Sequence, residues 1–497
     1  MLSSISDPKF TYHRFLKEHK WYFEFTLSSN KGALGIAKPD TDVTSYLGQR
    51  AGAYIYLSNG NKANNNSYVS YGSTFTAGDT IGVAFDADNG NLYFYKNGVV
   101  QNSGTAAYTG LTSGPYMPAF SDDFGSDAGD GSFNFGQMRF KYPMPSGYAA
   151  LNTTALPAAT IPDGSAQFDV KLYTGNGSTN TITGLEFSPD FTWIKKRNAT
   201  SAYSMHDTVR GATKRIRSES SDAETTETTA LTAFTSDGFT LGSGGTANAN
   251  NDTFVSWNWN AGSSTVSNTD GSITSNVRAN ATAGFSIVSY TGSGSNATVG
   301  HALNAALDFV IIKRRSGTGQ WRCWHNALSN TQGIDLNSSG AAFTDDSFNS
   351  TIPTNSVFTV KGGVANVNSS GSTYIAYCFA SVAGFSAFGK HTGTGAGSTG
   401  PFNYCGFRPA LVAVKRTDSS GWWSVWDTKR NPDNAAGKNV WWNDTYYEID
   451  SSQYKIDILS NGFRMRSGHA ERNASGGTYL WLAFAENPFQ ANGGLAR

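Results

Sequence analysis

A concentration of residues that could do chemistry lies near the end of the chain, where aromatic and polar side chains follow each other closely. Its aromatic members are Trp422, Trp423, Trp426, Trp441, Trp442, Tyr446 and Tyr447. Sugars bind by stacking their C–H faces on exposed aromatic rings, while Asp, Asn or Gln side chains hold the hydroxyls. Asp427, Asn443 and Asp444 stand beside these rings in the sequence. The stretch therefore predicts a carbohydrate-binding site.

Only exposed rings can bind a sugar, so the aromatic side chains that belong to the core must first be separated from the exposed ones. Trp422 and Trp426 align with large residues in two related segments of the chain, and shared large residues favour a core position. Trp441 and Trp442 are adjacent, so in a strand they point to opposite faces, and we expect one of them to be exposed. The predicted glycan- or partner-binding residues are Trp423, Asp427, Trp441, Trp442, Asn443, Asp444 and Tyr446.

Histidines next to acidic or amide residues recur in the related segments. The first segment has His206-Asp207, the second has His325-Asn326, and the third has Trp426-Asp427 at the aligned position. A shared catalytic base would require the histidine in every copy. Its loss from the third copy favours a structural role, in which Asp207, Asn326 and Asp427 form hydrogen bonds to a turn.

Basic clusters end one predicted strand in each related segment, at residues 195–197, 313–315 and 415–416. Such clusters could contact the phosphates of lipopolysaccharide or a sulfated glycan. The alternative is a solvated strand end that faces nearby aspartates, and we favour this alternative.

Two acidic segments invite comparison with calcium sites. Residues 86–91 resemble the start of a calcium loop, but its twelfth position is Asn97 rather than the required acid, and a β-hairpin turn explains the segment. The remaining calcium candidates lie in one acidic, Gly-rich loop, and they are Asp122, Asp123, Asp127 and Asp130. We predict no bound metal ion and no cofactor.

Composition excludes several classes of protein. The 497-residue chain has 37 Lys+Arg and 37 Asp+Glu, so its zero net charge gives no field that would attract nucleic acid or an anionic membrane. An aromatic content of 13% predicts packed cores rather than disorder. The three cysteines, Cys323, Cys378 and Cys405, do not suggest a disulfide framework. No apolar stretch has membrane-spanning length and the N-terminus lacks a signal-peptide core, which predicts folding in a reducing cytoplasm without membrane insertion.

The sequence contains no common catalytic motif. It has no G-x-S-x-G elbow between a strand and a helix, no H-E-x-x-H and no P-loop. A glycan hydrolase would need two carboxylates at about 5–9 Å, which sequence alone does not reveal. We predict that the protein is not an enzyme.

Three segments align over five blocks in the same order, which indicates internal duplication. The first blocks begin at Phe168, Phe285 and Phe385, and the last blocks begin at Thr253, Thr373 and Thr478. The repeat interval is domain-sized and the blocks alternate in hydrophobicity, which predicts β-sandwich beads. The expected boundaries are a linker at 146–165 and repeats at 166–262, 263–384 and 385–497. Residues 262–283 either link repeats 1 and 2 or add an edge strand to repeat 2.

The N-terminal part is a different unit. Its characteristic features are Trp21 and Glu24 in an early strand, Asp79 to Gly82 with Asp86, the hairpin at 92–98, Pro-Ala-Phe at 118–120 and Asn-Phe-Gly at 134–136. This order resembles the SPRY/B30.2 family. The resemblance implies a concanavalin-type antiparallel β-sandwich over residues 1–145 and a non-catalytic module whose loops bind partners. The predicted fold class is all-β and multidomain: this sandwich followed by three homologous β-sandwich repeats.

The repeats also resemble those of virion and tail-fibre proteins of marine tailed bacteriophages. The resemblance rests on strings such as Tyr-Thr-Gly-x-Gly and Gly-Phe-x-Leu and on the C-terminal segment 482–489. It implies a virion protein made in the bacterial host cytoplasm, most simply a tail-fibre-like receptor binder for host surface glycan. The alternative is a head-decoration or tail/fibre-adaptor subunit that binds other virion proteins. The resemblance also implies a homo-oligomer, for which a trimer is the common form among phage fibres.

Overall fold

The computed structural model describes residues 19–38, 41, 46–114, 116–122, 129–151, 160–397 and 400–487. The chain forms two compact units, the first extending to residue 158 and the second beginning at residue 159. Nearly all regular structure is β-strand, as predicted. Within the described ranges, no helix is long and apolar enough to cross a membrane.

The first unit is an antiparallel β-sandwich. Its strands are β1 (Lys20–Leu27), β2 (Ala33–Ala37), β3 (Ala53–Leu57), β4 (Asn61–Asn64), β5 (Ser67–Ser70), β6 (Thr80–Asp86), β7 (Asn91–Lys96), β8 (Val99–Val100), β9 (Met117–Ser121), β10 (Gly131–Asn134) and β11 (Ala149–Ala150). One sheet has the order β10-β1-β6-β7-β8, with β11 also pairing with β1, and the other has the order β5-β4-β3-β2-β9. The sheets bury an aromatic core that includes Phe23, Phe25, Phe85 and Phe94.

Two tight turns of this unit fit the expected hairpins. Between β6 and β7, the Asp86 carboxylate accepts a hydrogen bond from the Asn89 N–H at 3.1 Å, so this segment is a hairpin turn as predicted. Between β7 and β8, Asn97 and Gly98 have φ angles of 50° and 81°. Asn and Gly adopt this left-handed conformation more readily than other residues, and a two-residue hairpin turn requires it.

The second unit holds the three repeats, whose larger sheets share one strand order. Repeat 1 contains β12 (Phe168–Thr174), β13 (Asn180–Ile182), β14 (Phe191–Lys196), β15 (Ser204–Asp207), β16 (Lys214–Arg215), β17 (Thr225–Thr226), β18 (Leu231–Thr235), β19 (Gly238–Leu241), the helix α1 (Gly245–Asn248) and β20 (Thr253–Trp259). Its main sheet has the order β12-β20-β14-β15, and β13-β19-β18 form a smaller sheet.

Repeat 2 follows the same plan with two additional strands at its start. It contains β21 (Thr265–Asn268), β22 (Ser275–Asn280), β23 (Phe285–Thr291), β24 (Ala297–Gly300), β25 (Phe309–Arg314), β26 (Arg322–His325), β27 (Gln332–Asp335), β28 (Phe343–Thr344), β29 (Val357–Val360) and β30 (Thr373–Phe379). The β21–β22 hairpin pairs with β23, so residues 262–283 extend the sheet of repeat 2, which was one of the two alternatives.

Repeat 3 completes the unit. It contains β31 (Ser386–Thr392), β32 (Phe402–Tyr404), β33 (Arg408–Arg416), β34 (Ser424–Asp427), β35 (Lys438–Trp441), β36 (Ile449–Asp450), β37 (Ile456–Leu459), β38 (Gly462–Met465), the helix α2 (Ala470–Asn473) and β39 (Thr478–Asn487). Its main sheet has the order β31-β39-β33-β34-β35-β36.

The repeats are joined in a closed cycle by one equivalent lysine each. Lys195 of repeat 1 donates to the Thr445 carbonyl of repeat 3 at 2.7 Å. Lys313 of repeat 2 donates to the Ser221 carbonyl of repeat 1 at 3.0 Å, and Lys415 of repeat 3 donates to the Ser339 carbonyl of repeat 2 at 3.1 Å. Since each repeat contacts the next in the same way, the three form a ring with approximate threefold symmetry.

These lysines correct the expectation of solvated basic clusters, whereas Lys196 and Arg416 do face aspartates as expected, Asp252 and Asp418 respectively. All three linking lysine side chains are fully buried. Burial lowers the pKa of Lys195 and Lys313 to about 8 and that of Lys415 to about 7. A strand end that contacts a neighbouring repeat is shielded from water, and buried ammonium groups then require carbonyl acceptors.

One hydrophobic core runs through all three repeats, so they are not separate beads. Trp193 of repeat 1 stacks on Trp442 of repeat 3 with ring centroids 4.4 Å apart, and Phe191 stacks on Tyr377 of repeat 2 at 4.3 Å. Near the axis, Phe379 and Phe484 approach to 5.7 Å. The cysteines Cys323, Cys378 and Cys405 are buried and form no disulfide.

Candidate functional site

Strand pairing aligns the histidine and aspartate positions of the repeats with a shift of one residue from the alignment made by sequence. Asp207, His325 and Asp427 each pair with the residue that begins the apolar run of the preceding strand, namely Phe191, Phe309 and Leu411. His325, not Asn326, is therefore the counterpart of the two aspartates. Asn326 is exposed and donates to the Asp308 carboxylate at 2.6 Å.

Asp427 has a structural role rather than the predicted ligand-binding one. Its carboxylate is fully buried and accepts from the backbone N–H of Arg430 at 2.9 Å and from Arg430 Nε at 2.5 Å. It also accepts from the indole N–H of Trp257 at 3.1 Å, across the contact between repeats 3 and 1. Asp207 makes the same contacts with Arg210, so the expected hydrogen bond to a turn is confirmed for both aspartates.

Three of the predicted tryptophans belong to the core, which corrects their assignment as exposed residues. Trp423 is fully buried, and Trp441 and Trp442 are each 2% exposed. Trp442 faces repeat 1, and Trp441 is covered from the other side by Trp422, at a centroid distance of 4.7 Å, and by Tyr446 at 6.1 Å. Both faces of the sheet are covered at the end of β35. Trp441 and Trp442 point to opposite faces, but neither ring is exposed.

The remaining aromatic side chains form a surface group that we call the repeat 3 patch: Trp422, Tyr446 and Tyr447, lying over Trp441. Tyr446 and Tyr447 are 43% and 39% exposed, and Trp422 is partly exposed. The two tyrosine rings stack at 4.4 Å and their hydroxyls lie 3.3 Å apart. Stacking covers the faces between the two rings, so the pair offers an outer ring face as an apolar platform, with the hydroxyls at one edge.

Asn443 and Asp444 hold the loop that carries this patch. The Asn443 side-chain oxygen accepts from the Trp423 N–H at 2.9 Å. The Asp444 carboxylate accepts from the Tyr446 N–H at 2.8 Å. Both side chains are only partly buried, so solvent reaches this part of the loop.

The patch occurs in one repeat alone among the described residues. The carbonyls of Thr445, Ser221 and Ser339 accept from the equivalent lysines, which fixes the alignment of the three loops. The residues that follow are Tyr446-Tyr447 in repeat 3, Asp222-Ala223 in repeat 1 and Gly340-Ala341 in repeat 2. The predicted binding residues included Tyr446 but not Trp422 or Tyr447. The signal that could have identified them was the register of the adjacent pairs Trp422-Trp423 and Trp441-Trp442, which sets the residue of each pair that faces the core.

The acidic loop of the first unit gives no metal cluster in the part that the structure describes. Asp122 accepts from the Gly129 N–H at 2.5 Å, and Asp130 accepts from the Gly131 N–H at 2.7 Å. Asp123 and Asp127 lie outside the described residues. Across the described ranges, no three His, Cys, Asp or Glu side chains come together in an arrangement that could hold a metal ion.

The first unit defines the class of this protein. Glu24 is buried and accepts from the backbone N–H groups of Lys141 and Tyr142 at 2.8 and 3.0 Å, so it ties the following segment to β1. A family model of the SPRY domain matches residues 20–138. The protein is therefore an all-β multidomain protein with an N-terminal SPRY domain.

A second family model matches residues 163–488 and covers all three repeats together. The chain belongs to this family, described as Domain of unknown function (DUF7483). The match spans the ring as one domain, in agreement with the hydrophobic core that extends through all three repeats.

Relatives resemble the chain over limited segments. E3 ubiquitin-protein ligase RKP of Arabidopsis thaliana is 34% identical over 133 residues, which are 25% of this chain and 10% of the ligase. ATP-dependent RNA helicase DDX1 of Xenopus laevis is 29% identical over 139 residues, which are 28% of this chain and 18% of the helicase. The SPRY domain of human HERC1 matches with a TM-score of 0.22 and 16% identity, covering 26% of this chain and 82% of that structure.

Proposed function

We propose that the protein is a non-catalytic recognition protein of a bacteriophage virion, and that the repeat 3 patch binds host surface glycan. The observation that carries the glycan proposal is the exposed, stacked pair Tyr446–Tyr447, which together with Trp422 covers Trp441. The assignment to a virion rests on the sequence resemblance of the repeats.

The proposed binding is non-covalent and uses one site per chain. A sugar ring stacks on the tyrosine platform, and polar atoms of Asn443 and Asp444 hold its hydroxyls. The ring of repeats keeps the loop rigid, since Thr445 is fixed by Lys195 and by the Ser201 N–H at 2.9 Å. A rigid site loses little conformational entropy on binding. Because repeats 1 and 2 lack the tyrosines, avidity would require several chains rather than several repeats.

The SPRY unit gives the protein a second recognition element. We assign it the binding of a protein partner, which would be another virion component if the chain is a tail or head subunit. The alternative function of the whole chain is therefore that of a structural subunit that binds other virion proteins.

Binding of the purified protein to intact host cells, with and without periodate oxidation of surface glycans, tests the proposal. We expect saturable binding that periodate abolishes and that Tyr446→Ala with Tyr447→Ala weakens at least about tenfold. Phe343→Ala is the matched control, because Phe343 is an aromatic residue 37% exposed in the corresponding region of repeat 2.

Binding that survives periodate would contradict glycan recognition. Absence of cell binding, together with association with other virion proteins, would favour the structural alternative. An equal loss of binding in the Phe343 control would exclude the repeat 3 patch as the site.

A further inference from the structure

Two of the three repeats have a carboxylate at a position where the third has none. Asp190 in repeat 1 and Asp308 in repeat 2 directly precede the apolar run of their strands, and the equivalent residue in repeat 3 is Ala410. The backbone fixes this equivalence, because the three carbonyls accept from the N–H groups of Thr208, Asn326 and Thr428, respectively.

Each of the two carboxylates is held by donors from the neighbouring chain segments. Asp190 accepts from the Thr208 hydroxyl at 3.1 Å and from the Ala261 N–H at 2.8 Å, and Arg278 lies 2.5 Å away. Asp308 accepts from the Asn326 side chain at 2.6 Å and from the Ser381 N–H at 2.7 Å. The position is therefore built to accept a carboxylate in both repeats.

In repeat 3 a hollow of about 170 Å³ borders Ala410. Thr428 lines it as the counterpart of Thr208, and Ala410 offers no acceptor to the Thr428 hydroxyl. Lys429 also lines it, with half of its side chain exposed, where repeats 1 and 2 carry Val209 and Ala327. Repeat 3 thus has no carboxylate at position 410 and has a cation, Lys429, beside it, while Glu486 lines the hollow at the counterpart of Ala261 and Ser381.

We propose that this hollow binds the carboxylate of a small acidic sugar, in the place that an aspartate fills in the other two repeats. The Thr428 hydroxyl donates to the carboxylate and the Lys429 ammonium supplies the opposite charge. The hollow equals the volume of about five or six water molecules, so it has space for a sugar ring beyond the carboxylate. Ser165 and Asp169 on the repeat 1 side provide polar atoms for the sugar hydroxyls.

Two carboxylates already in the wall of the hollow do not oppose such a ligand, because each has a cation. Asp169 lies 3.0 Å from Lys171 and 3.9 Å from Lys429, and Glu486 lies 3.1 Å from Arg408, so three cations face two carboxylates and one positive charge is left for the ligand. The site shares no residue with the repeat 3 patch. It is therefore a second site, and it stands or falls independently of the glycan proposal above.

Calorimetric titration of the full chain with D-glucuronate, D-glucose and acetate tests this site. We expect glucuronate to bind saturably, acetate to bind at least about tenfold more weakly, and glucose, which lacks the carboxylate, not to bind. No binding of glucuronate would overturn the proposal, and so would equal binding of glucose and glucuronate. Binding of acetate alone would overturn the sugar as the ligand.

Two variants locate the site. Ala410→Asp rebuilds the arrangement of repeats 1 and 2, and we expect it to abolish glucuronate binding without lowering the midpoint of thermal unfolding. Lys429→Val introduces the repeat 1 residue at an exposed position, so it keeps the test valid even if Ala410→Asp does not fold, and we expect about tenfold weaker binding. Unchanged affinity in both variants, or a loss caused instead by Tyr446→Ala, would overturn the assignment.

Discussion

At the scale of single residues, adjacent tryptophans in repeat 3 have different tasks. Trp423 and Trp442 lie inside the ring, whereas Trp422 lies at its surface. Trp442 stacks on Trp193 of repeat 1, so it stabilises the contact between the first and last repeats. The contacts of each tryptophan, rather than its residue type, decide whether it stabilises the fold or can bind a ligand.

We expect Trp442→Ala to lower the free energy of unfolding by about 3–5 kcal/mol, because it removes a buried aromatic ring and leaves a cavity. Trp422→Ala should cost less, about 1–2 kcal/mol, because Trp422 is only partly buried over Trp441, and it should also weaken glycan binding. Denaturant unfolding and cell binding measure the two effects. Equal destabilisation by both substitutions would show that Trp422 is also a core residue.

The buried pair Asp427–Arg430 gives a second prediction at this scale. Asp427→Ala leaves the fully buried Arg430 without its main counter-charge, which should cost about 3–5 kcal/mol. Asp346→Ala is the control, since Asp346 and Lys361 form an exposed pair that should contribute less than about 1 kcal/mol. Urea unfolding compares the two variants. A similar small effect for both would mean that Arg430 finds another acceptor or reaches water.

At the scale of elements, the β21–β22 hairpin is the addition that distinguishes repeat 2. It extends the main sheet of its own repeat and also supplies Arg278 to the buried Asp190 of repeat 1. Burial raises the pKa of Asp190 to about 6, while Arg278 acts in the opposite direction. The hairpin therefore compensates a charge that another repeat has buried.

We expect Arg278→Leu to lower the free energy of unfolding by about 3 kcal/mol at neutral pH, because Asp190 is then ionised without a cation. Loss of Arg278 raises the pKa of Asp190 above 6, so protonation neutralises the group and relieves the cost as the pH falls from that raised pKa to about 6. Unfolding free energies at pH 7 and pH 5 test this. A cost that is equal at both pH values would exclude Asp190 as the cause.

At the scale of the whole molecule, the repeats behave as one unit because their core and their lysine contacts form a closed cycle. Calorimetry should therefore show two unfolding transitions, one for the SPRY unit and one for the three repeats together. Separate beads would instead give four transitions. A chain without repeat 3 should not retain a folded pair of repeats, since Trp193 and Trp257 would be exposed.

Lowering the pH should destabilise mainly the three repeats and so affect mainly their unfolding transition. Burial lowers the pKa of His206 to about 3 and those of His301, His325 and His391 to about 4. Unfolded histidines take up protons below about pH 6.5, but these folded ones do so only below about pH 4, so protons favour the unfolded state between these values. The stability is thus fully present above pH 6.5 and falls by up to about 1.4 kcal/mol per histidine and pH unit.

The raised pKa values of Asp190 and Asp335, each about 6, and of Glu219 act in the opposite direction, but they are three carboxylates against five histidines, because the pKa of His469 is lowered as well. Calorimetric scans between pH 7 and pH 4.5 should show the repeat transition moving to lower temperature. His301→Gln should make this shift smaller. A repeat transition that does not change with pH would contradict the assignment of these histidines as neutral.

The sequence by itself determined the all-β class, the SPRY sandwich, the threefold duplication and the alternation within each strand. These properties follow from local patterns, since alternation and turn residues act over a few positions. Only the tertiary structure decided that the repeats close into one ring, that Lys195, Lys313 and Lys415 are buried, and that Tyr446 and Tyr447 are exposed whereas Trp441 and Trp442 are not. Contacts between residues far apart in the chain decide which face of a strand is covered by another repeat. Local sequence patterns do not determine these long-range contacts.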